Sequence, residues 1–105
     1  MADKEMRAVY TDTLLELAAS DDRIMVVEAD LMRATGTGPF KEKYPERFVD
    51  VGVAEANMVG VSAGLSAAGK IPFAATFGCF ASRRMFDQFF LSCAYARLNV
   101  KRVGT

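Results

Sequence analysis

Residues 48–76 read FVDVGVAEANMVGVSAGLSAAGKIPFAAT, and this stretch decides the fold. Phe48 to Val51 is a short apolar run with Asp50 inside it, the pattern of a modest strand. Val53 to Ala68 follows with Met58, Val61 and Leu65 at helical spacing, and Gly69 stops the helix. Ile71 to Thr76 is a further apolar run, and Pro72 is tolerable at its start because the first residues of a strand need not pair. On the helix, Gly60, Gly64 and Ala68 fall at i, i+4 and i+8, a stripe of small side chains that predicts tight packing against another helix.

The flanks repeat the alternation. Lys4 to Ala19 places Met6, Val9, Tyr10, Leu14, Leu17 and Ala18 on one helical face, and Ile24 to Val27 is a branched, apolar run that predicts a buried strand. Leu31 to Pro39, with Gly36, Gly38 and Pro39, reads as loop, and Phe40 to Tyr44 as one helical turn before Pro45. Ser82 to Ala96 predicts a second long helix with Phe86, Phe89, Phe90 and Cys93 inward, and Asn99 to Val103 the last strand. Strands alternating with helices predict an α/β fold, a three-layer α/β/α arrangement around a mostly parallel sheet. The 105 residues fit one domain, 1–105. They stop where a parallel-sheet protein normally turns into another helix, so a fragment, incomplete at its C-terminus, is expected.

Apolar residues make up 51% and charged residues 25%, the mix of a globular core with a polar surface. Lys plus Arg and Asp plus Glu are 13 each, so a general attraction to nucleic acid or anionic membrane is not supported. Histidine is absent, which removes imidazole metal sites and Ser-His triads from what this chain supplies. Cys79 and Cys93 form no C-x-x-C and read as reduced, small apolar side chains. No basic, then apolar, N-terminal signal is present, and the uncharged stretch Met58 to Gly69 is far short of the ~18 residues of a span. A cytoplasmic protein with no membrane role is expected.

An open parallel sheet binds ligands beyond the carboxyl ends of its strands. Three of those ends carry unusual residues. Glu55 sits at a strand-to-helix junction among apolar and small residues: either a charge favoured by the helix start, or a desolvated carboxyl able to share a proton with a ligand. Thr76-Phe77-Gly78-Cys79-Phe80 puts two aromatics around a glycine, as core or as a stacking wall for a flat heteroaromatic ring. Asp30 could cap a turn or orient a ligand. Arg83, Arg84 and Asp87 could pair on an exposed helix face. Gly36-Thr37-Gly38 lacks the Gly-Lys-Ser/Thr of a P-loop.

Taken together, the residues resemble the pyrimidine-binding domain of the transketolase family, in particular the C-terminal subunit of split bacterial transketolases. The likeness is carried by Arg7-x-x-Tyr10, Ala29-Asp30-Leu31, Gly52-Val53-Ala54-Glu55-x-Asn57-Met58, Gly69-Lys70-Ile71-Pro72-Phe73, Thr76-Phe77-x-x-Phe80 and Phe86-Asp87-Gln88, in order along nearly the whole chain. It implies thiamine diphosphate as cofactor, with Glu55 the glutamate that hydrogen-bonds the aminopyrimidine ring nitrogen. Phe77 and Phe80 match the aromatics that line the ring, and Asp30 an acidic residue close to the cofactor.

For substrate, the resemblance implies a sugar phosphate contacted by Arg7. Ala34 stands where a serine is expected, which shifts the phosphate contact toward Arg33; Arg83 matches a further family arginine. The family's Gly-Asp-Gly…Asn motif, which holds Mg²⁺ and the diphosphate, does not occur here, so no metal ligand is expected from this chain. The resemblance therefore implies a diphosphate-binding, N-terminal transketolase subunit as partner, a homo- or hetero-oligomer, and no activity from this chain alone. Another thiamine-diphosphate enzyme (deoxyxylulose phosphate synthase, or the β subunit of a 2-oxoacid dehydrogenase) and a non-catalytic oligomerisation partner remain as alternatives; the Thr-Phe-x-x-Phe spacing favours transketolase.

Overall fold

A computed structural model describes residues 3–105. The elements run α1 (Met6–Ser20), β1 (Ile24–Glu28), α2 (Met32–Thr35), α3 (Gly38–Lys43), a 3₁₀ turn (Pro45–Arg47), β2 (Phe48–Asp50), α4 (Glu55–Ala67) and β3 (Ile71–Thr76). A helical run then passes through a wide turn (Phe80–Arg84), α5 (Phe86–Phe89) and a second wide segment (Phe90–Tyr95) to β4 (Lys101–Gly104). The four strands are parallel in the order β2-β1-β3-β4.

Alternation along the strands sorts the core into two layers. Val27, Ala29 and Ala74 face Met58, Val59 and Ala63 of α4, with Met85 and Cys93 of the last helical run. Ile24 and Val26 face Leu14 and Ala18 of α1 and Phe40 of α3, with Phe48 and Phe73 packed beside them. The three-layer arrangement and the parallel sheet are as the sequence predicts. β1 lies between two strands and is buried throughout, which explains its unbroken apolar run.

Four expectations are corrected. Leu31 to Pro39 is not loop: it holds α2 and the start of α3, each too short to show a hydrophobic period. The Gly60, Gly64, Ala68 stripe faces outward, and among the described residues nothing beyond the helix's own backbone and the adjoining residues lies within 4 Å of where a Cβ would stand on either glycine. Only part of the α1 face is covered: Leu14 and Ala18 are buried, whereas Met6, Val9 and Leu17 are exposed. On the last helical run Phe86 and Phe90 face outward, and Ala81, Met85, Phe89 and Cys93 face the core. That spacing of four follows from the i→i+5 turns, which are wider than 3.6 residues and keep every fourth residue in line.

Arg47 closes the end of α1. Its guanidinium donates to the carbonyls of Ala18 and Asp21 at 3.0 and 3.2 Å and lies 3.9 Å over the Tyr44 ring.

Candidate functional site

Glu55 is the first residue of α4 and is 4% exposed. Gly52 turns the chain there at φ +79°, a conformation that suits glycine, and Asp50 Oδ1 accepts from the Gly52 and Asp30 N–H groups at 2.8 and 3.0 Å. Asp50 thereby ties the carboxyl ends of β1 and β2 together in front of α4. Glu55 has a charged partner that neither reading of the sequence includes. Its Oε1 accepts from Arg84 Nη1 at 2.7 Å, so Arg84 pairs across 29 residues rather than with Asp87 on its own helix.

The guanidinium of Arg84 also lies over the Phe80 ring, 4.0 Å from its centroid. Phe77 is exposed and tilted against Phe80, with ring centroids 6.0 Å apart. Arg83 lines the same groove of about 450 Å³ as Phe80, Arg84 and Cys79. The structure thus gathers Glu55, Phe77, Phe80 and Arg83 at the carboxyl end of β3, with Arg84 as their link. Arg84 covers one face of Phe80, and neither Glu55 nor Phe77 lines that groove; a flat nitrogen heterocycle suits the donor set that remains, one buried carboxylate, the exposed Phe77 ring and the other face of Phe80. Among the described residues no group of three or more acidic or cysteine side chains could hold a metal ion.

Asp30 stands apart. It is exposed, in the left-handed region at φ +60°, and its carboxylate makes no hydrogen bond or ion pair among the described residues. Arg7 lines a second groove of about 590 Å³ with Tyr10 and Val103. Its Nη1 donates to the carbonyl of Ala34 at 3.0 Å, and its Nε pairs with Glu5 at 2.6 Å. Arg33 is exposed on α2, beside the Ala34 that holds Arg7.

One charged residue escapes the sequence reading. Glu28, the last residue of β1, is fully buried; its Oε1 accepts from the hydroxyls of Thr35 and Thr37 at 2.5 and 2.7 Å. Its Oε2 and the Tyr10 hydroxyl are buried without a hydrogen-bond partner among the described residues. Burial pushes the Glu28 carboxyl up from its ordinary value, the two threonine bonds oppose this, and the neighbouring charge of Asp50 adds to it. The Tyr10 phenol is pushed up as well, by burial first and by Glu28 second. The signal in the sequence was an acid ending an apolar run, followed by Thr-x-Thr.

The family of transketolase pyrimidine-binding domains matches residues 2–105. A 6-deoxy-6-sulfo-D-fructose transketolase subunit of Clostridium sp. (strain MSTE9) is 58% identical over 100 residues, which is 95% of this chain and 31% of that protein. A putative transketolase C-terminal section of Methanocaldococcus jannaschii is 46% identical over 102 residues, 97% of this chain and 32% of that protein. A solved split-gene transketolase, described as an inactive beta4 tetramer, superposes with a TM-score of 0.82 at 46% identity, covering 92% of this chain and 32% of that one. The chain thus spans about a third of the length of these relatives.

Proposed function

The chain belongs to the transketolase pyrimidine-binding domain family, and on that premise we propose that it is the pyrimidine-binding domain of a split transketolase subunit, moving a two-carbon ketol unit between sugar phosphates. The observation that carries the reading is the buried Glu55 carboxylate at the start of α4, linked through Arg84 to Phe80 at the carboxyl end of β3. Glu55 is the group to hydrogen-bond a ring nitrogen of thiamine diphosphate and to hold or pass a proton there. Phe77 and the face of Phe80 that Arg84 leaves open give the ring its apolar wall, and Asp30 stands at the neighbouring strand end. When bound, the cofactor supplies the electron sink for breaking and making the ketose carbon–carbon bond.

Arg7, Arg33 and Arg83 are assigned to the phosphate of the substrate. Arg7 brings the most order, because Ala34 and Glu5 already fix its head. Mg²⁺ and the diphosphate are assigned to a second, diphosphate-binding subunit, in an oligomer of the cytoplasm. The similar split-gene transketolase described as an inactive beta4 tetramer supports the need for that partner. Among the described residues no helix is long and apolar enough to cross a membrane.

The test is Glu55→Gln in the subunit carrying this domain, reconstituted with its diphosphate-binding partner. Gln keeps the shape but cannot exchange the proton. Ketol transfer is expected to fall by about 10²–10⁴-fold with assembly intact by sedimentation. A variant with wild-type turnover would reduce Glu55 to a favourable charge at a helix start.

A further inference from the structure

The pairing of Glu55 with Arg84 was not part of the family likeness, and its geometry is specific. A carboxylate taken out of water needs a charged or hydrogen-bonding partner to remain where it is. Arg84 supplies one from an element far away in sequence, and its own side chain is 54% exposed. A planar guanidinium can stack by its face and donate by its edge at once, which an ammonium cannot. Arg84 does both: its face covers Phe80 at 4.0 Å and its edge reaches Glu55 Oε1 at 2.7 Å.

The backbone is shaped for this. Met85 N–H donates to the Phe80 carbonyl at 3.3 Å, an i→i+5 bond that widens the turn. The widened turn seats Arg84 over the Phe80 ring while Ala81 and Met85 stay in the core. Arg83, one residue earlier, is left on the groove wall.

We propose that Arg84 is a positioning residue for ligand recognition at Glu55: stacked on Phe80, it pins one carboxylate oxygen and leaves the other to meet the ring of the ligand. Glu55 Oε2 accepts no hydrogen bond among the described residues, so it is the oxygen left to bond. This rests on the reading of Glu55 and Phe80 as the seat of the aminopyrimidine. The role is one of orientation, and it acts only on ligands that bond to Glu55.

The experiment uses the full-length subunit assembled with its diphosphate-binding partner and Mg²⁺, with affinities measured by calorimetry. The probes are thiamine diphosphate and an analogue in which the ring nitrogen facing Glu55 is replaced by CH. Arg84→Met, which can still cover Phe80, is expected to weaken binding of thiamine diphosphate about tenfold and of the analogue less than twofold. Arg84→Lys is expected to recover part of the loss. Equal losses for both probes, or none, overturn the proposal. Glu55→Ala separates the two levels of inference. If it leaves the preference for the ring nitrogen intact, the seat itself is misassigned. If it erases that preference while Arg84→Met does not, the seat stands and Arg84 has no positioning role.

Discussion

Glu28 shows how a single buried acid makes the fold depend on pH. Folding raises its affinity for a proton, so the folded state holds that proton over a range where the unfolded chain has lost it. The stability it contributes is complete below the ordinary carboxylate range and is lost as pH rises through the folded value. Glu28→Gln keeps an acceptor for Thr35 and Thr37 and has nothing to ionise. Urea midpoints of the variant and the wild type are expected to agree in acid and to separate in favour of Gln as pH rises to 8. Parallel curves would show that Glu28 titrates as an ordinary carboxyl. Neither Glu28's threonines nor Arg84's carboxylate could be read from the chain, because each pairing depends on where the fold brings distant elements together. Glu55 and Phe80 were legible because local pattern alone placed them at a strand's carboxyl end.

Elements with a long helical period or an unbroken apolar run were legible: α4, β1 and β3 fall where their patterns predict. Elements with no period to display were not: α2 went unseen, and of α3 only the turn beginning at Phe40 was read. The last helical run was seen with only half of its inward face right, Phe89 and Cys93 but not Phe86 and Phe90, since a period of 3.6 was assumed for a helix that in places winds wider. The end of that sheet is also tighter than its sequence suggests. Gly78 N–H donates to the Thr105 carbonyl at 2.9 Å, and a Cβ on Gly104 would stand 2.8 Å from the Gly78 Cα. The obstacle is backbone and cannot swing aside. Gly104→Ala is therefore expected to cost about 1–3 kcal/mol in a denaturant titration, whereas Gly60→Ala, in open space on a helix, should gain about 0.5–1 kcal/mol. Equal effects at the two sites would mean that β4 can move away.

Across the whole molecule, order is expected to fall off from the middle of the sheet. β1 pairs on both sides and lies under both helical layers, while β2 contributes three residues and β4 forms an edge with Lys101 and Arg102 exposed. In native-state hydrogen exchange the amides of β1 and β3 should exchange last, near the global unfolding limit, and those of β2 and β4 earlier. Uniform protection would show one cooperative unit with no weak margin. The candidate site straddles this gradient, with Glu55 on a core helix and Phe80 and Arg84 on a turn beside the edge strand. That turn also marks where the gene can change length. A helix wound i→i+5 has taken up more chain than its axial path requires, so losing one codon near Ser82 lets ordinary winding resume with the core face intact. The same loss inside β1 would exchange the two faces of every residue beyond it. Such a loss near Ser82 would spare the core and not the site, because it removes the widened turn that seats Arg84 over Phe80.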